Sequence, residues 1–249
     1  MRLTATAVSD IGRVRKTNQD SVGCFDDLSL YLLSDGMGGL TDGEVASRLA
    51  IDVIRDKVAQ GANGNGQAHD DDLGVLRAAI ARANERILSE GEQRGEASGG
   101  RSRIGATIVA LRLSHADGRA VWAHVGDSRL YRFRDGTLAL LTADHTVAGA
   151  AYRDAEDVPL DLPHTNMLVQ ALGVSREIEP SVGADAVRAG DLFLLCSDGV
   201  SGLLEPGVIA EELGRDTTVK EKASSLIRLA LEASGKDNAS VVLVQILGD

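Results

Sequence analysis

The sequence has few residues of the kinds that cross-link secreted proteins or anchor membrane proteins. Only two of its 249 residues are cysteines; these are Cys24 and Cys196, and both lie in apolar, strand-like runs. We interpret them as buried, reduced thiols rather than as a disulfide or a pair of metal ligands. The N-terminal MRLTATAVSDIG lacks the apolar run of a signal peptide, and no stretch approaches the length of a membrane span. A cytoplasmic protein that does not interact with membranes is therefore expected.

Positive charge is also scarce. Lys and Arg number 26 against 37 Asp and Glu, which gives a net charge of −11. No part of the chain concentrates the basic residues that would neutralise phosphates, so nucleic acid is excluded as a partner. The hydrophobic fraction of 43% is ordinary for a globular protein with a core. An acidic surplus of this size suits a protein that gathers carboxylates around cations.

Short strand patterns and amphipathic helix patterns follow one another in blocks. The apolar or alternating runs that predict strands are RLTATAV, LYLLS, GATIVALRL, RAVWAHVG, SRLYRFRDG, TLALLT, DLFLLCS and ASVVLVQIL. Helical spacing of apolar residues appears over 41–60, 73–87 and 219–234, and Thr41 with Glu44 forms a capping box for the first helix. No repeat, coiled coil or linker separates these blocks. The pattern predicts a single α+β domain over residues 1–249.

Three stretches are interpreted as loops because they are rich in Gly and polar residues or lack periodicity: 61–72, 91–103 and 143–166. The last of them is long for a connection without structure, and such segments are more often functional than filler. We interpret it as a surface excursion.

Two apolar strands that are far apart in the sequence both end in Ser-Asp-Gly, in LYLLSDGMGGL and in LFLLCSDGVSGLL. A carboxylate in this position is held at the rim of a sheet, and the following Gly lets the backbone carbonyl come close enough to act as a ligand. Two such strands can meet at one edge. Carboxylates clustered there would be costly to bury without counter-charge, so they indicate bound metal. Oxygen ligands without His or Cys select hard cations such as Mg²⁺, Mn²⁺ or Ca²⁺.

Five aspartates share this kind of position at the boundary of a strand or loop: Asp20, Asp35, Asp127, Asp198 and Asp237. Taken singly, each is better explained as a turn or capping aspartate. Their number and their shared position favour a metal cluster.

Nine short motifs follow one another along the chain: RKTNQD, SDGMGG, GEVAS, GAT, HVGDSR, LTADHT, QALG, SDGV and KDNASVVLV. In this order they resemble the bacterial members of the metal-dependent protein serine/threonine phosphatases, the PPM or PP2C family. The resemblance covers residues 9–246. It implies a four-layer α+β fold, in which two antiparallel β-sheets pack as a sandwich flanked on both sides by helices, with the metals at one end.

The resemblance also implies a set of metal ligands. Asp35 is expected to bridge two metal ions, and the Gly36 carbonyl to bind one of them. Asp198 and Asp237 are expected to hold the first ion, and Asp20 to support the second, directly or through water. The implied cofactors are two Mn²⁺ or Mg²⁺ ions per chain, with the carboxylates of Asp35, Asp198 and Asp237 forming the catalytic core.

Two further residues match the family in the same way. Asp127 corresponds to the ligand of a third, weaker metal, and Arg15 to the arginine that grips the substrate phosphate. The implied chemistry is in-line hydrolysis, in which two metals about 4 Å apart share a water, lower its pKa and direct it at phosphorus. Neither a Cys nor a Ser nucleophile is needed.

The implied substrate is a phosphoprotein bearing phosphoserine or phosphothreonine, and the implied partner is an opposing Ser/Thr kinase. A monomer is expected. Two other functions stay open: a catalytically weak or inactive binding module on the same fold, and a phosphomonoesterase for small molecules that uses DGMGG as a phosphate-cradling loop.

Some positions depart from the family pattern or carry no assignment. Gln19 stands where many relatives have Glu, Met37 where eukaryotic members have His, and Leu40 where many bacterial members have His. The identity of a general acid is therefore open. The histidines are interpreted as a packed strand residue (His124), an anchor of the excursion (His145) and solvated surface residues (His69, His115 and His164).

Overall fold

A computed structural model gives the architecture of the chain. It describes residues 2–38, 42–62, 72–98, 104–114, 117–151 and 167–248. Eleven strands lie within these ranges: β1 (Arg2–Asp10), β2 (Asp20–Phe25), β3 (Leu30–Met37), β4 (Gly105–Ala106), β5 (Ile108–Ser114), β6 (Arg119–Val125), β7 (Arg129–Arg134), β8 (Thr137–Leu140), β9 (Ser181–Ala186), β10 (Leu192–Cys196) and β11 (Ala239–Gly248).

Six α-helices accompany the strands in the described ranges. They are α1 (Asp42–Ala62), α2 (Asp72–Ser98), α3 (Val147–Ala151), α4 (Asp198–Ser201), α5 (Pro206–Gly214) and α6 (Val219–Ala233). A capping box begins α6, where the Thr218 side chain accepts from the Glu221 N–H and the Glu221 carboxylate accepts from the Thr218 N–H.

The strands form two antiparallel sheets. One sheet has the order β1-β11-β10-β7-β8, and the other has the order β2-β3-β5-β6-β9, with β4 paired to β3. The sequence supports this arrangement because the central strands are apolar on both faces. On β3, for example, Leu30 and Leu32 face the helices, whereas Tyr31 and Leu33 belong to the core between the sheets.

Three apolar cores separate four layers. One core joins α1 and α2 to the second sheet, one joins the helices α4 to α6 to the first sheet, and the third lies between the sheets and contains Phe193, Leu195, Val242 and Val244. The predicted fold class, α+β with two antiparallel sheets packed as a sandwich and flanked on both sides by helices, is confirmed. Within the described ranges, no helix is both long enough and apolar enough to span a bilayer.

The predicted loop over 91–103 is wrong in its first half, because α2 continues to Ser98. The two glycines in the last part of α2, Gly91 and Gly95, are buried. Arg94 pairs with Glu90, one helical turn earlier, and with Asp42 at the start of α1. These contacts offset the low helix propensity of glycine. Several other predictions fall outside the described residues: Thr41 of the capping box, most of the 61–72 loop, and the excursion beyond Ala151.

Candidate metal centre

The chain brings four of its five singled-out aspartates to one end of the sandwich through four different connections. Asp35 lies near the end of β3, and Asp127 lies in the turn between β6 and β7. Asp198 is the first residue of α4 and is separated from β10 only by Ser197, and Asp237 lies between α6 and β11. Because the connections meet at one edge of the sandwich, aspartates as far apart in sequence as Asp35 and Asp237 share a single cavity.

That cavity has a volume of about 470 Å³. It is lined by Arg15, Gln19, Asp35, Gly36, Met37, Gly38, Thr107, Asp127, Met167, Leu168, Asp198, Asp237 and Asn238. Six of the seven residues to which the sequence assigned a metal or phosphate role are among them. The seventh, Asp20, lies behind the wall.

Asp20 lies opposite Asp35 in the register of β2 and β3, and its residue is only 8% exposed. Ser197 Oγ donates a hydrogen bond to Asp20 Oδ2 over 2.9 Å, and the Ser240 hydroxyl also interacts with this carboxylate. Oδ1 is buried and has no partner in hydrogen-bonding geometry among the described residues. Burial raises the pKa of Asp20 to about 6. A buried carboxylate oxygen without a donor is a position where a cation or its water is favoured.

The glycines that follow Asp35 and Asp198 explain the repeated Ser-Asp-Gly. A Cβ on Gly36 would collide with the Gly43 carbonyl of α1, and a Cβ on Gly199 would collide with the Asn238 carbonyl. Each glycine therefore lets a neighbouring backbone segment pass directly beside the aspartate.

Asp35 and Asp198 lie close enough to share a hydrogen bond between their side chains. Burial, and then the charge of Asp20, raises the pKa of Asp35 well above its usual range. Burial, and then the charge of Asp237, raises the pKa of Asp198. Two carboxylates in contact can share a proton, which leaves only one of them charged. Both can stay charged only if a cation lies beside them.

Asp127 is tied to Asp35 through two hydroxyl groups. The Asp35 N–H donates to Thr107 Oγ1 over 2.9 Å, and Thr107 Oγ1 lies 2.7 Å from Ser128 Oγ. Burial, and then the charge of Asp198, raises the pKa of Asp127 to about 6. The hydroxyl contacts of Thr107 and Ser128 fix the turn between β6 and β7 relative to the end of β3.

Arg15 reaches the acidic cavity from the loop after β1. Its Nη2 donates to Asp237 Oδ2 over 2.7 Å, and the two side chains are 51% and 39% exposed. An ion pair this exposed is worth about 0–1 kcal/mol. Arg15 can therefore leave Asp237 for a better anion at little cost.

Asn238 positions this loop and is a residue that the sequence reasoning missed. Its Oδ1 accepts from the Gln19 N–H, and its Nδ2 donates to the carbonyls of Ile11 and Thr17. Thr107 and Ser197 were missed as well. Their positions in GAT and SDGV, beside candidate ligands, are the available signal, but only the fold shows which groups they contact.

The residues fit a hard divalent cation. The donors are carboxylates and a backbone carbonyl, Asp20 leaves one oxygen without a donor, and Arg15 is the one cation among the described residues that line the cavity. In the described part of the chain, no three His, Cys, Asp or Glu side chains already surround one metal-sized centre. The carboxylates would thus turn toward the cation by side-chain rotation, for which the cavity leaves room.

The remaining candidates lie as follows. Met37 lines the cavity and has no proton to donate, and Leu40 lies outside the described residues. His124 and His145 are buried strand and loop residues whose rings stack at 4.6 Å, in agreement with a packed role for His124. The other three histidines lie outside the described residues.

Comparisons with known proteins agree with this architecture. The family model described as Protein phosphatase 2C matches residues 13–248. The chain is 35% identical to the serine/threonine protein phosphatase PstP of Mycobacterium tuberculosis over 98% of its own length, but it spans only 45% of that relative. It is 32% identical to the serine/threonine phosphatase stp of Listeria monocytogenes over 95% of its own length and 93% of the relative.

A solved structure shares the fold throughout. It is the catalytic domain of the serine/threonine protein phosphatase PstP in complex with two manganese ions, with a TM-score of 0.83, 34% identity and 99% of each chain covered. The two-sheet sandwich, the acidic cavity at its end and the match over nearly the whole sequence lead to one conclusion. The chain belongs to the protein phosphatase 2C family.

Proposed function

We propose that the protein is a metal-dependent protein serine/threonine phosphatase. The observation that carries the proposal is the single cavity in which Asp35, Asp127, Asp198 and Asp237 face Arg15. Carboxylates that need cations, beside an arginine that can release its partner, are the groups that phosphate-ester hydrolysis requires. The family membership supports the same activity.

The residues that would hold the cations are Asp20, Asp35, Gly36, Asp198 and Asp237, with Asp127 serving a third ion. Bound Mn²⁺ or Mg²⁺ would supply an activated water and neutralise charge on the phosphoryl group. The two manganese ions in the PstP structure support a binuclear centre here.

The chain's own groups account for substrate orientation. Arg15 presents a planar guanidinium at the mouth of the cavity, where it can bind two phosphoryl oxygens at once, which Lys cannot reproduce. Asn238 holds the loop that carries Arg15 through the carbonyls of Ile11 and Thr17. The phosphate would thereby be fixed between Arg15 and the cations.

Hydrolysis of a phosphoserine peptide with and without added Mn²⁺ tests the proposal. We expect activity that requires Mn²⁺ or Mg²⁺ and is lost in chelator, and we expect Asp35→Asn and Asp198→Asn to abolish turnover while the far-ultraviolet circular dichroism stays unchanged. A matched control is Asp56→Asn, an aspartate on the outer face of α1. Full activity of the parent in excess chelator would overturn the metal mechanism.

The two other functions are outcomes of the same assay. Faster turnover of sugar phosphates than of phosphopeptides would identify a small-molecule phosphomonoesterase, and binding of phosphopeptide without turnover would identify a binding module. An opposing kinase, a cytoplasmic location, a single domain over 1–249 and a monomeric state stay predictions.

A further inference from the structure

His145 is buried close to the candidate metal centre and lines a second cavity of about 430 Å³ with Asp144, Gln170 and Ser181. The catalytic proposal leaves it without a role. Its residue is 5% exposed. It follows β8 and lies before the short helix α3, and its backbone contacts the turn between β6 and β7 that carries Asp127. Two hydrogen bonds join His145 to Gly126, the residue before Asp127.

The first bond is between backbones, since the His145 N–H donates to the Gly126 carbonyl over 2.9 Å. The second comes from the side chain, where Nδ1 accepts from the Gly126 N–H over 3.2 Å. Gly126 has a φ of 106°, and a Cβ at this position would collide with Thr107. The turn thus has a backbone conformation that needs external support.

The imidazole of His145 is itself held on its other sides. Because an N–H donates to Nδ1, the neutral ring carries its proton on Nε2, which lies 2.9 Å from Ser181 Oγ on β9. The ring also stacks on His124 of β6 at a centroid distance of 4.6 Å. Gln170 Nε2 adds a contact of 3.3 Å to Nδ1. The ring is therefore fixed to β6, to β9 and to the segment after residue 167.

The Asp127 turn is clamped from two sides as a result. Ser128 is held by Thr107, whose hydroxyl also accepts from the Asp35 N–H, and Gly126 is held by His145. Asp127 lies between the two attachments, and its side chain lines the acidic cavity. Releasing one attachment would let the carboxylate of Asp127 move relative to Asp35.

We propose that His145 is a positioning residue that holds the Gly126–Asp127 turn in the geometry that the metal centre needs. It touches neither the acidic cavity nor a candidate ligand, and it acts on the reaction only through the placement of Asp127. The inference rests on the proposed function and on a role for Asp127 in cation binding.

A double-mutant cycle between His145 and Asp127 tests the proposal. The variants are His145→Leu, Asp127→Ala and both together, measured by Mn²⁺ titration with electron paramagnetic resonance and by phosphopeptide kinetics. We expect His145→Leu and Asp127→Ala to weaken the same Mn²⁺ binding step and to lower kcat, each by about tenfold, with little change in KM. The double variant should be no worse than Asp127→Ala alone.

Two further variants separate positioning from general stability. Asn presents Oδ1 where His has Nδ1, so His145→Asn should keep the bond from Gly126 and recover most of the Mn²⁺ affinity. Thr142→Val is the control, because it removes a buried hydrogen bond from the Leu130 N–H without touching the Asp127 turn. It should lower the melting temperature and leave Mn²⁺ binding and kcat unchanged.

Three results would overturn the proposal. The first is unchanged Mn²⁺ binding in His145→Leu, and the second is a failure of His145→Asn to recover Mn²⁺ affinity. The third is that His145→Leu lowers Mn²⁺ affinity and kcat as much in the Asp127→Ala background as in the parent. If His145→Leu does not fold, Ser181→Ala, which removes the anchor of Nε2, takes its place with the same expectations. A parent without phosphatase activity would refute the proposed function alone, because the Mn²⁺ titrations would still decide the role of His145.

Discussion

Arg15 is the one cation among the described residues that line the acidic cavity, and its exposed pair with Asp237 is easily broken. Charge-assisted hydrogen bonds to a phosphate are worth about 1.5–3 kcal/mol. We therefore expect Arg15→Ala to lower kcat/KM for a phosphopeptide by about ten- to a hundredfold. Arg15→Lys should recover only part of this loss, since Lys lacks the planar fork.

The matched control for Arg15 is its neighbour Lys16, which does not line the cavity. Lys16→Ala removes the same charge from the same loop and should leave kcat/KM within about twofold. Equal losses for the two variants would mean that only the general charge of the loop matters, and would remove Arg15 from the phosphate site.

His124 makes stability depend on pH. Burial lowers its pKa, while the Ala143 carbonyl and Asp144 oppose the shift only in part. The pKa in the unfolded chain is about 6.5, so below this pH the unfolded state binds a proton that the folded state does not. The stabilisation is complete above pH 6.5 and is lost as the pH falls, by at most about 1.4 kcal/mol per pH unit.

His124→Gln isolates this contribution, because Gln places a donor where Nε2 donates to the Ala143 carbonyl over 2.8 Å. Urea unfolding at pH 7, 6 and 5 should show a steeper loss of unfolding free energy in the parent than in the variant. Parallel curves for the two proteins would show that His124 titrates alike in the folded and unfolded states.

At the scale of elements, α2 fixes the segment that borders the metal cavity. Asn84 is buried in this helix; its Oδ1 accepts from the Gly173 N–H over 2.7 Å, and its Nδ2 donates to the Ser175 carbonyl over 2.8 Å. Leu172, in the same segment, forms an antiparallel β-bridge with Ala106 of β4. One side chain thus ties α2 to the segment that pairs with β4 and that begins with the cavity residues Met167 and Leu168.

We expect Asn84→Ala to destabilise the protein by about 1–3 kcal/mol, because it leaves buried backbone groups without partners. It should also speed proteolysis within residues 173–176. The control on the same helix is Arg82→Ala, which breaks only an exposed pair with Glu85 and should change stability by less than about 0.5 kcal/mol. Identical proteolysis rates in both variants would contradict the role given to Asn84.

The elements that the sequence predicts well are those whose pattern is local. The apolar runs ending in Asp35 and Asp198 indicate buried strands because both faces of each strand are covered, and the spacing of apolar residues predicts the three long helices α1, α2 and α6. The short helices α3, α4 and α5 carry too few turns to show such spacing and were not predicted. The extension of α2 to Ser98 was missed because glycine usually ends a helix, whereas Gly91 and Gly95 are buried and Arg94 is paired to α1.

In the candidate site, the ligands could be predicted from the sequence, whereas the contacts that position them could not. Its aspartates could be singled out because each follows or begins an apolar strand, and the family resemblance assigned them roles. The contacts of Asn238, Thr107 and His145 could not be predicted, since each joins segments that only the folded chain brings together. The burial of Asp20 behind the cavity wall is likewise a property of the sheet register.

For the whole molecule, the acidic cavity predicts that cations stabilise the fold. An ion that binds only the folded state at 100 times its Kd adds about 2.7 kcal/mol, which for a chain of this size raises Tm by about 5–10 °C. Differential scanning fluorimetry with Mn²⁺ should show this rise, and chelator should reverse it. Asp198→Asn should reduce the shift, and an unchanged Tm in the parent would argue against a cation site.

The pairing of β1 with β11 has a consequence for how the protein is made. β11 is a central strand of its sheet, with β1 on one side and β10 on the other, and a hydrogen bond joins Ser9 to Ser240 across 231 positions of sequence. A ribosome therefore adds the 231 positions that separate these two residues before β1 can pair with its neighbour. Until then both edges of β1 lack a partner strand, and other chains can pair with them. Closure of this sheet has to wait until β11 has been synthesised, and we expect it to be the slow step of folding.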